Sequence, residues 1–397
     1  TTREVSRVFA DATFEGSATS PTRPRIDAAV IDPQIEGPDI ARFRYVTGIP
    51  GAASGPFSLG FTVDVREDGV EILDLRARTE LGEFEADGTI GDPDNFYGSQ
   101  ARFLLKSDSL ARTAGAYGVE GLPAVAIQVS GRAEYTRDGI RTLEPLVADM
   151  AGNSASVEGL VPLTAGAVGA DLQVAAEGPD LAAIAGLFTD TGGIPALSYG
   201  LAGGLRIEKR GYRLSDVTGA LGNTALSGNG LLVTAKNLAG SHFEVRANGP
   251  ALEELVPTLD EFDVQDGPFE LQASATFTSD RVELQRVSFE RPNARLDLEA
   301  SVGLPVSRRW VDFDVRASGS DVRYVLRHVQ GLEAYEQPFS LDAKGRLRGN
   351  HWDFDRVSGA VGTANVEARG DLALDGSASR TELTLDLAIP NLSLIHI

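Results

Sequence analysis

Apolar and polar residues alternate with a period of two along several stretches of this chain. The clearest is Phe57, Leu59, Phe61, Val63 and Val65, separated by Ser58, Thr62 and Asp64. Phe269, Leu271, Ala273, Ala275 and Phe277 repeat the pattern around Glu270 and Gln272. Phe339, Leu341, Ala343, Gly345 and Leu347 repeat it around Asp342 and Lys344. Successive side chains of a strand point to opposite faces, so each run predicts a strand with one greasy and one wet side. A proline precedes each such strand, at Pro56, Pro123, Pro195, Pro268 and Pro338. The run after Pro195 contributes Tyr199, Leu201 and Leu205.

Polar hairpins at 66–69, 209–211 and 348–350 lead into a second strand, whose apolar pairs are Leu214/Val217, Leu284/Val287 and Phe354/Val357. A tight corner and a third strand follow. A fourth strand closes the unit with Phe243, Val245, Ala247, with Phe313, Val315, Ala317, and with Leu383, Leu385, Leu387.

The corner is best seen at Gly222-Asn223, where Gly accepts positive φ at no steric cost and Asn tolerates it. Steps of 70 residues from Gly222 land on Gly82, Gly152, Pro292 and Gly362. A second marker keeps the same pace: Asp39, Asp108, Asp180, Ala251, Asp321 and Asn391 each open a segment. An Asp or Asn there predicts a helix N-cap. The residues behind it have helical spacing, as in Leu181, Ile184, Leu187, in Leu252, Leu255, Leu259 and in Val322, Val325, Val329. A fixed period of this length marks a repeat array. The expected division is the end of a preceding repeat at 1–36, then repeats at 37–106, 107–177, 178–248, 249–318 and 319–389, with 390–397 as the start of another or a sequence artefact. Leu392–Ile397, LSLIHI, resembles a translated sequencing-library adaptor and is set aside, His396 with it.

Composition narrows the function classes. The 57 acidic against 36 basic residues give a formal net charge of −21. That argues against nucleic acid and against docking on anionic headgroups, both of which want clustered cations. Cysteine is absent, which removes disulfides, thiolate metal sites and a cysteine nucleophile. No apolar run reaches the 18 or more residues of a membrane-spanning helix. Thr1–Ala10 is polar and reads as mid-protein sequence, so the chain is expected to be a piece of a longer protein whose targeting region lies outside it.

Candidate chemistry is sparse. The four histidines, His242, His328, His351 and His396, lack metal-ligand spacing, and no nucleophile elbow or phosphate loop occurs. Asp92-Pro93-Asp94-Asn95 lacks the spacing of a calcium loop and reads as a solvated turn. Asp312/Asp314 and Asp353/Asp355 each share a strand face, opposite Phe313 and Phe354, and read as a charged outer surface rather than an acid–base pair. The expectation is a non-enzymatic protein with no cofactor and no metal site.

The greasy face is the informative feature. Left open over about twenty strands it would far exceed the few hundred Å² that soluble monomers expose. Either a second sheet covers it, giving sandwiches, or one long sheet curls into a trough for an apolar ligand. Periodicity does not choose between them, although repeats without Pro/Ser-rich linkers favour a continuous sheet.

The recurring unit resembles the AsmA-like superfamily of Gram-negative envelope proteins, which includes the TamB and YhdP groups. The likeness lies in GPDLAAIAGLF (178–188), then an alternating strand, then LSDVTGALGN (214–223) and a Gly-rich strand, and it spans nearly the whole chain. It departs at Ala251, where the capping Asp is lost, and at Pro292, which replaces the corner Gly. The resemblance implies a periplasmic protein anchored by an N-terminal inner-membrane helix outside this chain, its body a β-sheet groove carrying phospholipid acyl chains toward the outer membrane.

The fold expected is all-β with short helices, an array of about 70-residue units forming an elongated, twisted and curled groove. Its lining is drawn from strands one and four: Phe57, Leu59, Phe61, Val63, Tyr199, Leu201, Leu205, Phe243, Val245, Phe269, Leu271, Phe277, Phe313, Val315, Phe339, Leu341, Leu347, Leu383 and Leu385. Two other readings stay open, an assembly factor for outer-membrane proteins and an extracellular β-sandwich adhesin.

Overall fold

The computed structural model describes residues 7–17, 25–43, 55–67, 69–116, 120–187, 194–235, 238–252, 254–255, 267–304, 310–322, 336–349, 351–373 and 382–388. The chain divides into two units, Thr1–Ile207 and Glu208–Ile397. The first holds β1 (Arg7–Ser17), β2 (Arg25–Gly37), β3 (Phe57–Arg66), β4 (Gly69–Thr79), β5 (Gly82–Ile90), β6 (Ser99–Ser107), β7 (Ile127–Thr136), β8 (Gly139–Met150), β9 (Asn153–Val161), β10 (Asp171–Gly178) and β11 (Tyr199–Glu208). The second holds β12 (Gly211–Leu221), β13 (Thr224–Val233), β14 (His242–Gly249), β15 (Phe269–Phe277), β16 (Arg281–Arg291), β17 (Ala294–Gly303), β18 (Trp310–Gly319), β19 (Phe339–Arg348), β20 (His351–Val361), β21 (Ala364–Ala373) and β22 (Glu382–Ala388).

Each unit is an antiparallel meander in which every strand pairs with its neighbours in sequence. The chain is therefore all-β, and neither meander closes: among the described residues the first and last strands of a unit do not pair. Substantial strand contacts run only between hydrogen-bonded neighbours, so no second layer packs over either face there. Among the described residues, helix is confined to α1 (Leu110–Ala116), α2 (Leu181–Gly186) and two single turns of 3₁₀ helix at Ile40–Phe43 and Ala165–Ala167.

Two of the expected caps are in place and a third is shifted by one residue. Asp180 Oδ1 accepts the amide of Ala183 at 3.0 Å and Asp39 Oδ1 that of Ala41 at 3.0 Å. In the second segment the cap is Ser109, whose Oγ accepts the amide of Arg112, rather than Asp108. At Ala251 the described residues make only a turn, with Leu255 N donating to Leu252 O. Leu259, Val325, Val329 and Asn391 lie outside the described residues. Four of the segments are clipped shut by a backbone bond across their ends: Ile40 N to Gly55 O, Leu110 N to Val125 O, Leu181 N to Leu197 O and Val322 N to Gln337 O.

The corners need a correction in the first two copies. The residues left between paired strand ends are Glu80-Leu81 and Ala151-Gly152, then Gly222-Asn223, Pro292-Asn293 and Gly362-Thr363. Gly82 is thus the first residue of β5, and Asn153 starts β9. The steps between corners are 71, 71, 70 and 70 residues. Gly222 and Gly362 take φ of 56° and 57°, as a two-residue hairpin demands.

The apolar pairs three apart in the second strands have a specific cause. An i, i+3 pair on a regular strand would face opposite sides. Here Ile72/Leu75, Leu214/Val217, Leu284/Val287 and Phe354/Val357 each flank a β-bulge, and the extra residue returns both members to one face. Asp74, Asp216 and Arg286 sit in the bulges at φ of 50°, 50° and 51°. A side chain from the next strand clamps the bulge amide: Asp74 N donates to Asp87 Oδ1 and Asp216 N to Asn229 Oδ1, both at 2.8 Å.

The loops from third to fourth strand share another device. Phe96, Ala167 and Leu238 stand at φ of 62°, 53° and 56°, and the glycine two residues on donates to Tyr135 O, Ile207 O or Phe277 O at 2.8 Å.

Candidate functional site: an apolar sheet face

Cross-strand register assigns every paired residue to a face. In the first unit one line of partners reads Val8, Ile35, Leu59, Ala77, Phe84, Leu105, Val129, Ala148, Ala155, Ala176, Leu201, one from each of eleven strands. The neighbouring line, one residue along, reads Arg7, Glu36, Ser58, Arg78, Glu83, Lys106, Gln128, Asp149, Ser154, Glu177, Gly200. At roughly 4.8 Å per strand the apolar line extends about 50 Å.

The second unit repeats this. Gly219, Leu226, Ala247, Leu271, Phe289, Leu296, Ala317, Leu341, Gly359, Val366 and Leu387 form its apolar line. Beside it run Thr218, Ser227, Arg246, Gln272, Ser288, Asp297, Arg316, Asp342, Ser358, Glu367 and Asp386. Two unlike faces are thus maintained across every strand. β5 shows the effect on exposure: Phe84, Ala86 and Ile90 are half-buried while Glu83, Glu85, Asp87 and Thr89 are exposed.

The residues proposed from sequence as a lining share this face within their own unit, but they differ in access. Phe57, Phe269 and Phe339 are buried, at 8%, 2% and 8% exposure. They stand at the margin where the fourth strand ends in glycine. A Cβ on Gly249 would strike Thr224 Oγ1 and approach the Phe269 ring at 2.9 Å, and one on Gly319 would strike the Phe339 ring. Tyr199 does the same over Gly178, its hydroxyl donating to Asn153 Oδ1 at 3.1 Å, and burial raises its pKa. These four rings lock strand ends together and offer little area to a ligand. Leu59, Phe61, Val63, Leu201, Leu205, Leu271, Phe277, Val315, Leu341 and Leu347 are half-buried, Val245 and Leu385 are 43% and 60% exposed, and Leu383 has a paired backbone.

Reasoning from alternation alone omitted the second and third strands, which supply Phe84, Leu226, Phe289, Leu296 and Val366 to the same lines. The bulge hides this in the second strand by breaking the period of two. It also omitted Trp352, which forms an aromatic cluster on the apolar face. Trp352 stacks on Phe354 at 5.6 Å, and Phe313 meets the two edge-on at 5.3 and 6.2 Å.

The opposite face is charged and paired. Asp312 pairs with Arg346, Asp342 with Arg356 at 2.7 Å and with Arg316 at 3.5 Å, and Asp314 with Lys344 at 4.0 Å. The carboxylates at 312 and 314 thus have cations opposite them across the strand. Concavities of about 740 and 700 Å³ lie on this polar side, the first lined by Arg78, Glu83, Lys106, Gln128 and Asp149 at the corner margin, the second mainly by Arg316, Asp342, Ser358 and Glu367. Asp64, counted among the wet positions, is only 8% exposed and receives the Arg66 guanidinium at 2.6 Å. Asp92 spends its carboxylate on its own loop, accepting from Asp94 N and from Asn95 Nδ2 at 2.8 Å. Among the described residues no group of His, Cys, Asp or Glu is placed to hold a metal ion, and no helix is long and apolar enough to cross a membrane.

No family model, curated protein or solved structure matches the chain.

Proposed function

We propose that the apolar face is a conduit for the acyl chains of phospholipids, in a periplasmic protein that helps move them between inner and outer membranes. The observation that carries this reading is the unbroken apolar line across all eleven strands of each unit. An acyl chain needs continuous apolar area shielded from water, at roughly 25 cal/mol per Å², and no specific polar partner. A catalytic site would instead need converging polar groups, and the polar groups here face one another as ion pairs. In this proposal the units of about 70 residues repeat the bulge and corner so that the sheet curls around the lipid. The resemblance to AsmA-like proteins points the same way and supplies the compartment and the membrane anchor outside the chain.

Photocrosslinking tests it. A crosslinker at position 59 or 271 is expected to capture phospholipid, and one at position 58 or 272, on the charged face of the same strands, is not. Leu59→Asp and Leu271→Asp are expected to stop lipid transfer, since an unpaired charge costs several kcal/mol in apolar surroundings. Equal capture from both faces of a folded protein, verified by circular dichroism, overturns the proposal.

A further inference from the structure

The margin of the first unit that holds the β3–β4 and β7–β8 hairpins is built unlike the corner margin. The corner margin carries the segments clipped by Ile40, Leu110 and Leu181, and the ring of Tyr199 over Gly178. The hairpin margin carries short turns and the loops 91–98 and 162–170, which lead into β6 and β10. Each loop puts a large apolar side chain into solvent: Phe96 is 55% exposed and Leu163 62%.

Two costs fall on Phe96. Its ring forgoes the burial usual for phenylalanine, and its φ of 62° places a bulky residue in the left-handed region. The loop around it is nonetheless tightly made. Phe96 N donates to Asp92 O at 2.6 Å, Asp92 N to Tyr97 O at 2.9 Å, Tyr97 N to Asn95 Oδ1 at 2.9 Å and Gly98 N to Tyr135 O at 2.8 Å. The loop of Leu163 is fixed likewise, by Thr164 Oγ1 donating to Val168 O at 2.7 Å and Gly169 N to Ile207 O at 2.8 Å. A backbone held in a strained state to display an apolar ring indicates a use for the display.

These tips adjoin the apolar face. Tyr135, Ile140 and Val161 are register partners at the ends of β7, β8 and β9, on the same side as Val129 and Ala155. Tyr97 rests against Tyr135 with ring centroids 5.5 Å apart, and Ile140 is exposed. The two loops are four strands apart, about 20 Å at the usual strand spacing. A protein pocket for one anchoring ring need not span that distance, whereas a bilayer surface meets both tips at once. Charge selects the kind of bilayer. Asp92, Asp94 and Asp138 stand at this margin against Arg137, so anionic headgroups would be repelled and zwitterionic ones would not.

We propose that the hairpin margin of the first unit docks on a zwitterionic phospholipid bilayer, with Phe96 and Leu163 entering its apolar layer. This rests on the reading of the apolar face as lipid-carrying and gives that face an entrance. An acyl chain leaving the bilayer passes Tyr135, Ile140 and Val161 to reach the line from Val8 to Leu201.

The chain has no cysteine, so a single introduced one carries an environment-sensitive fluorophore at a chosen place. Labels at Phe96→Cys and Leu163→Cys are expected to shift to the blue when phosphatidylcholine vesicles are added. A label at Glu85→Cys, exposed on the charged face of β5, is not. Binding measured by vesicle flotation should withstand high salt and weaken when phosphatidylglycerol is mixed in. Phe96→Gly separates display from folding, because glycine accepts the backbone conformation that strains phenylalanine. Its vesicle binding is expected to fall about tenfold, the scale of one large apolar side chain, while its melting temperature holds or rises. A lowered melting temperature would assign the ring to packing and overturn its role. Full vesicle binding by a folded Phe96→Gly, Leu163→Ser double variant, an equal shift at position 85, or no binding by the unaltered chain overturns the docking. If phospholipid in micelles is then still captured at position 59, the apolar face stands as the lipid surface; loss of that capture as well overturns both readings.

Discussion

The two units use one backbone plan and dress it differently. In the first, the central apolar line is aliphatic apart from Phe84, which pairs with the Phe103 ring of the next line at 6.2 Å. In the second, a parallel line alternates large and small: Leu214, Gly230, Phe243, Ala275, Leu284, Ala300, Phe313, Gly345, Phe354, Gly370. The small residues make room for the rings, since a Cβ on Gly230 would meet Phe243 Cδ1 at 2.5 Å. The bulge clamp is a carboxylate in the first unit, Asp87, and an amide in the second, Asn229. The lesson is that pleat, bulge and corner decide which positions face the apolar side, while residue size there is free to vary. One unit becomes a uniform greasy surface and the other a surface with rings.

The largest test of that plan is the ring-on-glycine lock. Phe269→Ala is expected to cost about 3–5 kcal/mol, the range for deleting a buried aromatic ring. Phe103→Ala, on the half-buried face of the first unit, should cost clearly less. Urea denaturation of both variants checks this, and equal losses would mean the lock contributes nothing beyond ordinary face packing. Next comes the corner. Gly222→Val is expected to lose about 1–3 kcal/mol, because a β-branched residue resists positive φ. Pro292→Val should lose less, since no positive φ occurs in the Pro292-Asn293 turn. Thermal unfolding separates them, and parity would dissociate the corner from backbone strain.

A smaller effect sharpens the comparison of clamps. Asp87→Ala and Asn229→Ala are each expected to lose about 1 kcal/mol, the worth of one hydrogen bond to the bulge amide. Asn229→Asp should be close to neutral, because either side chain presents an oxygen to Asp216 N; amide hydrogen exchange at residue 216 reads it directly. The smallest effect is electrostatic. The hydrogen bond from Arg295 holds the Asp297 carboxyl below its usual pKa. A depressed carboxylate stabilises the fold above the ordinary carboxylate range and loses that contribution as pH falls through the folded value. The pair is exposed and screened, so the expected change is a slight drop in melting temperature below about pH 4, reduced further in Arg295→Gln.

The alternation of Phe57–Val65, Phe269–Phe277 and Phe339–Leu347 determined strands with two unlike faces, and the spacing of Gly222, Pro292 and Gly362 marked the hairpins that join them. Those features are local: period-two exposure and the φ of a turn residue depend on a few neighbouring atoms. What only the tertiary structure decided was register. The lines from Val8 to Leu201 and from Gly219 to Leu387 exist because each strand is hydrogen-bonded at one particular offset to the next. A bulge at Leu214/Val217 and its counterparts shifts that offset in a way the period of two conceals. The same holds for Trp352, an unremarkable residue in its own strand. The Phe313 ring and Gly345 come to it from β18 and β19, and among the described residues those strands place no acceptor beside its indole donor.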